Sequence, residues 1–193
     1  MILGITGSSG AGKSTVCEIL EKTYNVQIIN TDKIARELSK PKTKYLQEIV
    51  KEFGDQILFE DGELNRRKLA DIIYSSQDKR NKLNAITFKY IRKETEKCIE
   101  NSNKKNIAID APLLLEANMQ ELCNATIAVI SENRKLQIQR IIKRDNINKE
   151  HAIARLNAQQ PNEFYIKNCN YTLKNNKTLN AQIDYLMQKI ILQ

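Results

Sequence analysis

The chain contains no tryptophan and only one histidine, His151, in 193 residues. A single histidine beside Glu150 in a helical stretch reads as a surface residue, and its absence elsewhere removes Ser-His-Asp and Cys-His triads from contention. Four cysteines, Cys17, Cys98, Cys123 and Cys169, stand far apart with no Cys-x-x-Cys pair. A zinc site is therefore not expected, and the thiols read as free groups in a reducing compartment. Aromatic residues make up only 6%, which leaves little for a platform that stacks the bases of a single strand. No segment approaches the roughly 18–20 apolar residues of a membrane span. Met1–Thr6 is apolar, but too short and too soon interrupted by glycine for a signal peptide. A cytoplasmic protein without a membrane partner is expected.

What is present is ordinary globular composition, 41% hydrophobic and 28% charged, with a net charge of +8. This length suits one α/β domain with a helical insertion. The positive balance implies acidic partners, either nucleic acid or phosphate-rich small molecules. Its lysines and arginines are spread over several helical stretches, so most read as solvated faces.

Five short apolar runs read as strands: Ile2–Thr6, Val26–Ile29, Asn106–Asp110, Ala125–Ile130 and Tyr171–Leu173. Helical periodicity separates them. Val16, Ile19, Leu20 and Tyr24 mark one helix and Leu83, Ile86, Tyr90 and Ile91 another. Ser131 is a candidate N-cap for a helix carrying Ile138, Ile141 and Ile142, and a further helix starts near Asn148. Leu179, Ile183, Leu186, Met187, Ile190 and Ile191 form a closing stripe. A turn is expected at Glu60-Asp61-Gly62. Strands separated by long helical crossovers predict an α/β fold with a parallel sheet covered on both faces.

Chemistry concentrates at Gly7-Ser8-Ser9-Gly10-Ala11-Gly12-Lys13-Ser14, which fits G-x-x-x-x-G-K-[ST] between a strand and a helix. Its glycines let successive backbone N–H groups turn toward phosphate oxygens, and the helix N-terminus adds its dipole. Lys13 supplies a point charge for the β- and γ-phosphates, and the Ser14 hydroxyl a ligand for Mg²⁺. Phosphoryl transfer further needs a group that orients or deprotonates the acceptor, and cations for the developing charge. Asp32, after the second strand, is the candidate base; its alternative is an N-cap for Lys33–Leu38. Arg140 and Arg144, four residues apart, are the candidate cations, with a solvated basic face as the alternative. Asp110 ends the third strand, where it could hold Mg²⁺ through water or cap the turn at Pro112. The run Ala111–Glu116 is too apolar for a surface loop and reads as lining a pocket or the core.

In this order and spacing the chain resembles the dephospho-coenzyme A kinase family over nearly its whole length. The resemblance rests on the P-loop, Thr31-Asp32-Lys33-Ile34-Ala35-Arg36, Phe53-Gly54, Asp61-Gly62-Glu63-Leu64-Asn65-Arg66 with Leu69, and Leu83-Asn84-Ala85-Ile86. It continues through Asp110-Ala111-Pro112-Leu113-Leu114-Leu115-Glu116, Arg140 to Asp145, Ala152, Arg155, Gln159 and Asn175. It departs from the family pattern at Asn30, at Phe88-Lys89 and at Cys169-Asn170.

The resemblance implies a P-loop three-layer sandwich with a five-stranded parallel sheet. The core would be residues 1–32, 104–131 and 169–193, with a helical acceptor-binding insertion over 33–103 and a lid over 132–168. It implies transfer of the ATP γ-phosphoryl to the ribose 3′-hydroxyl of dephospho-CoA, with Asp32, Lys13 and Arg140 catalytic. ATP would lie on Gly10, Ala11, Gly12, Lys13, Ser14 and Thr15, with Arg144 and Asn175. The acceptor would meet Asp32, Arg66 and Leu113, and Mg²⁺ would meet Ser14 and Asp110. A monomer is expected, with a small homo-oligomer as the alternative. The competing functions are another P-loop small-molecule kinase, of nucleoside or nucleotide type, and an NTP-dependent nucleic-acid-binding module. Small-molecule partners and no nucleic acid are the expectation.

Overall fold

Strands that are apolar on both faces must be covered on both faces. The computed structural model describes residues 1–74 and 76–191, Tyr74 and Ile191 by their backbone alone. The apolar runs form strands β1 (Ile2–Thr6), β2 (Gln27–Asn30), β3 (Ile107–Asp110), β4 (Ala125–Ile130) and β5 (Tyr171–Lys174). Between them lie helices α1 (Lys13–Tyr24), α2 (Thr31–Leu38), α3 (Lys44–Phe53), α4 (Arg66–Tyr74), α5 (Gln77–Glu100), α6 (Arg134–Asp145), α7 (Lys149–Asn157) and α8 (Asn162–Asn168), and α9 (Leu179–Ile191) follows β5. The sheet runs β2-β3-β1-β4-β5. Its pairs β1–β3, β1–β4 and β4–β5 are parallel, as expected. The chain leaves β1 toward β2 and leaves β4 toward β5. The carboxyl ends of these two neighbours therefore face a crevice, the place where open α/β sheets bind ligands.

The residues divide into two compact units, Met1–Ile29 with Ser102–Gln193, and Asn30–Asn101. In the first, Leu3, Ile5, Ile127 and Val129 of the sheet pack with Val16 and Leu20 of α1 and with Ile183 and Met187 of α9. Each such fully buried aliphatic side chain contributes about 1.5–3 kcal/mol through burial. The closing stripe is thus a core face, although the Ile191 side chain lies outside the described residues. A smaller cluster of Ile141, Ala152 and Leu156, flanked by Ile138 and Ile142, joins α6 to α7. The neck from which the second unit departs is tied within the first. There the Gln27 amide donates to the Asn106 carbonyl at 3.0 Å, and the Ser102 hydroxyl to Gln27 Oε1 at 2.8 Å.

The second unit builds its own core from Tyr45, Ile49, Phe53, Ile57 and Leu69, flanked by Leu83, Ile86 and Tyr90. Tyr45 and Tyr90 meet edge-on, ring centroids 5.6 Å apart. Gly62 takes φ +80° in the turn foreseen at residues 60–62. Asn65 Oδ1 accepts the Lys68 amide and caps α4.

Two cap assignments differ from the sequence reading. Helix α6 is capped by Asn133, whose side chain accepts the Leu136 amide at 3.0 Å, while Ser131 lies two residues upstream of that cap and is buried. Helix α2 is capped by Asn30, whose Oδ1 accepts the Lys33 amide at 2.9 Å. Asp32 is therefore inside the first turn and is not the N-cap.

Candidate active site

The carboxyl end of β1 runs straight into the phosphate-binding sequence, and α1 begins at Lys13 immediately after it. Gly12 caps α1 at φ +109°, and a Cβ there would stand 1.8 Å from Asn175 Nδ2. Gly10, at φ +73°, lies so close to α6 that a Cβ would stand 2.7 Å from the Gln137 carbonyl oxygen. These two positions need glycine for backbone conformation and for space at once. Lys13 Nζ folds back over the loop and donates to the Gly7 carbonyl at 2.6 Å and the Ser8 carbonyl at 3.3 Å. Ser14 and Thr15 are exposed at the start of α1, where the helix dipole favours an anion, and the Thr15 amide donates to the Gly12 carbonyl at 3.1 Å.

Side chains distant in sequence converge on this loop. Arg140 Nη1 donates to the Gly10 carbonyl at 3.3 Å, and Arg144 Nη2 to the Ser9 hydroxyl at 2.9 Å. The two arginines thus both reach the P-loop, Arg140 from a half-buried position and Arg144 from an exposed one. Arg144 also grips Asp145 with Nε and Nη2, both at 2.8 Å, and Arg155 bonds the same carboxylate. The Arg144 hydrogen bond is the main cause that holds the Asp145 carboxyl below its usual range, with the charges of both arginines adding to it. Asn175, just beyond β5, donates from Nδ2 to the Ala11 carbonyl at 2.8 Å.

Asp110 is buried at the end of β3, opposite Ile5 in register, and the next amide, Ala111, donates to the Ile5 carbonyl at 3.0 Å. This carboxylate thereby sits beside the strand that feeds the P-loop. The run that follows divides between core and surface. Ala111 and Leu114 are buried, whereas Leu113 is exposed. Glu116 carries a buried Oε2 with no hydrogen-bond partner, and burial pushes its carboxyl up from the usual range. Tyr165 of α8, itself buried, is raised to about 12, first by burial and then by the Glu116 charge.

Asp32 and Arg66 belong to the second unit. Asp32 is exposed in the first turn of α2 and Arg66 is exposed as the first residue of α4. The departures noted in the sequence have local accounts. Asn30 serves as a cap, a role Asn fills as well as Asp. Lys89 pairs with Glu48 at 3.2 Å. Asn170 Oδ1 accepts the Thr126 amide and hydroxyl at 2.8 and 2.9 Å, bonds an Asp could equally accept.

Sequence reasoning missed Gln137. It is 6% exposed and donates from Nε2 to the Ser8 hydroxyl and the Ser9 carbonyl, both at 2.8 Å. Its signal was available: Gln137 lies one turn before Ile141, on the apolar face of α6, where a polar residue demands a partner. Gln159, seen in the sequence only as part of a lid pattern, accepts the Ser9 amide on Oε1 at 2.8 Å. All four cysteines are free. Burial pushes the Cys17 thiol far up and Cys123 to about 12, so neither is a ready nucleophile. A cleft of about 560 Å³ lies beside Asn175, lined by residues 132–136 and 175–177.

The sequence profile of the dephospho-CoA kinase family matches residues 1–181. The dephospho-CoA kinase of Listeria innocua is 36% identical over 181 residues, covering 92% of this chain and 89% of that protein. A crystal structure of a Thermus thermophilus protein superposes with TM-score 0.80 at 24% identity, covering 100% of this chain and 96% of that one. The dephospho-CoA kinase of Campylobacter jejuni superposes with TM-score 0.66 at 25% identity, covering 98% and 96%. No helix among the described residues is long and apolar enough to cross a membrane.

Proposed function

The chain belongs to the dephospho-CoA kinase family and is an ATP-dependent kinase acting on dephospho-CoA, and on that premise we propose how its residues divide the work of transferring the γ-phosphoryl to the ribose 3′-hydroxyl. The observation that carries the reading is the convergence of Arg140 and Arg144 on a P-loop whose lysine already lies over its backbone. A preorganised cluster of cations and amides stabilises spreading phosphoryl charge without reorganising at the moment of reaction.

In this scheme the amides of Gly10 through Thr15 cradle the ATP phosphates, and Lys13 moves from the loop carbonyls onto the β- and γ-oxygens. Arg144 holds the nucleotide side, and Arg140 neutralises the phosphoryl group in flight. Asn175 stands at the adenine end, where the cleft over residues 132–136 and 175–177 offers the half-exposed Leu136 as an apolar wall. Asp32 accepts the proton of the acceptor hydroxyl. Arg66 and Leu113 are assigned to acceptor binding.

The donor set fits Mg²⁺. Ser14 hydroxyl and Asp110 carboxylate are hard oxygens, and no group of three or more His, Cys, Asp or Glu side chains among the described residues forms a metal cage. Mg²⁺ is commonly held in this way, by one or two protein oxygens together with substrate phosphates. When bound it would neutralise charge on the β- and γ-phosphates. The chain would work in the cytoplasm as a monomer, on small molecules and without nucleic acid.

The test is ADP release with ATP and Mg²⁺, comparing dephospho-CoA with adenosine, AMP, shikimate and no acceptor. Turnover that depends on dephospho-CoA and yields CoA is expected. Turnover supported equally by adenosine or AMP would overturn the acceptor assignment.

A further inference from the structure

Ser9 sits third in the P-loop and is buried. Each of its polar groups is bonded to a side chain from residues 137–159. Its amide donates to Gln159 Oε1 at 2.8 Å, its carbonyl accepts from Gln137 Nε2 at 2.8 Å, and its hydroxyl accepts from Arg144 Nη2 at 2.9 Å. Gln137 spends its other amide hydrogen on the Ser8 hydroxyl, also at 2.8 Å. These three partners come from α6 and from the turn after α7, elements joined to each other by the Ile141–Ala152–Leu156 cluster. A polar side chain this deeply buried costs free energy unless its bonds are made, so the glutamine is held in one orientation.

From this geometry we infer that Gln137 is a positioning residue that, with Gln159, clamps Ser9 and so holds the P-loop ready for ATP. The inference rests on the phosphotransferase reading above. The arm Gly7–Gly10 carries the amides that follow it, and fixing Ser9 fixes their direction before the nucleotide arrives. Gln137 also stands three residues before Arg140 and seven before Arg144 on the same face of α6. The same bonds therefore set where the two guanidinium groups stand over the loop. Releasing the clamp means that ATP must order the loop on binding, which weakens ATP and leaves the acceptor site untouched.

Gln137→Met keeps the volume of the side chain and removes both donated bonds. With two net hydrogen bonds lost and part of that loss taken up by water, the expected rise in KM for ATP is about ten-fold. KM for dephospho-CoA should stay within two-fold of wild type. Gln159→Met, at a half-buried position that tolerates exchange, should raise KM for ATP several-fold. The double variant should fall short of the product of the two factors, because both act through Ser9. A merely structural role would lower thermal stability without this split between the two KM values. Calorimetric titration of ATP is run in parallel on every variant. If the wild type fails to turn over dephospho-CoA, the acceptor reading falls, while ten-fold weaker ATP binding in the variants still supports the clamp. ATP affinity within two-fold of wild type in a folded Gln137→Met, or in Gln159→Met where the first does not fold, overturns it.

Discussion

Replacing Gly12 by alanine attacks the P-loop at a position where two costs coincide. The residue takes φ +109° and ψ 23°, a region that L side chains rarely adopt, and its Cβ would stand 1.8 Å from Asn175 Nδ2 and 2.7 Å from Asn175 Cγ. Backbone strain of this kind costs about 1–3 kcal/mol. Asn175 must also swing away, breaking its 2.8 Å bond to the Ala11 carbonyl, a further loss of about 0.5–1.5 kcal/mol. The sum, roughly 2–4 kcal/mol, is shared between folding and ATP binding. Taken wholly as stability it lowers Tm by about 4–16 °C in a domain of this size. Taken wholly as binding it weakens ATP by roughly 30- to 900-fold. Calorimetric titration of ATP and a thermal melt, read together, recover the total. The partition between the two costs comes from Gly12→Ala/Asn175→Ala, in which the collisions with Nδ2 and Cγ are gone, only a 3.3 Å approach to the Cβ of residue 175 is left, and the φ strain remains. Relative to Asn175→Ala, the glycine replacement should then cost less than it does in the wild-type background, by roughly the hydrogen-bond share. Full additivity, or a Gly12→Ala protein with unchanged Tm and ATP affinity, would refute the reasoning.

Asp32→Asn should leave ATP affinity intact and lower kcat by about 100-fold or more, the usual weight of a general base; turnover near wild type, measured as CoA formed, would remove Asp32 from the mechanism. Glu116→Gln should stabilise the protein at neutral pH. The folded carboxyl titrates above its ordinary value of 4.5 because it is buried, so its charged form is destabilising once the pH rises past that value. Melting curves of the two proteins should separate above pH 4.5 and converge below it, and a constant difference across pH would contradict the burial argument. Asp145→Asn removes the carboxylate that both Arg144 and Arg155 grip and should raise KM for ATP a few-fold. Its pH window runs the other way. The folded carboxyl lies below 3.8, so its stabilising effect is complete above that value and is lost as the pH falls through the lower folded value. A melting difference between wild type and Asp145→Asn should therefore be present at pH 6 and vanish in strong acid.

The sheet, the P-loop and the closing helix were legible because each is written locally. Uniformly apolar runs such as Ala125–Ile130 announce strands buried on both faces, and the glycines of the loop mark its turns, although the crowding around Gly10 and Gly12 shows only in the fold. The cap assignments were less legible because Ser131 and Asn133, or Asn30 and Asp32, offer equivalent chemistry within two residues. Only the backbone turn decides which side chain reaches the amide. Gln137 and Gln159 were hardest to see. Their partners lie 128 to 150 residues away in sequence, and a glutamine carries no charge or periodic signature of its own. Arg140 and Arg144 were recognised as a pair from their spacing, yet nothing in that spacing tells solvent from Ser9.

The neck that ties Gln27 to Asn106 and Ser102 has a consequence for how this kind of protein diversifies. Everything from Asn30 to Asn101 leaves and returns at one pinned place, so the first unit experiences it as a single closed loop. The entropy of closing such a loop grows only logarithmically, about 0.6 kcal/mol for each doubling of its length. A segment of different size could be spliced between the same two tethers with little entropic penalty to the rest of the fold. The neck is in effect a cassette holder: what it carries can change in length while the sheet is kept whole.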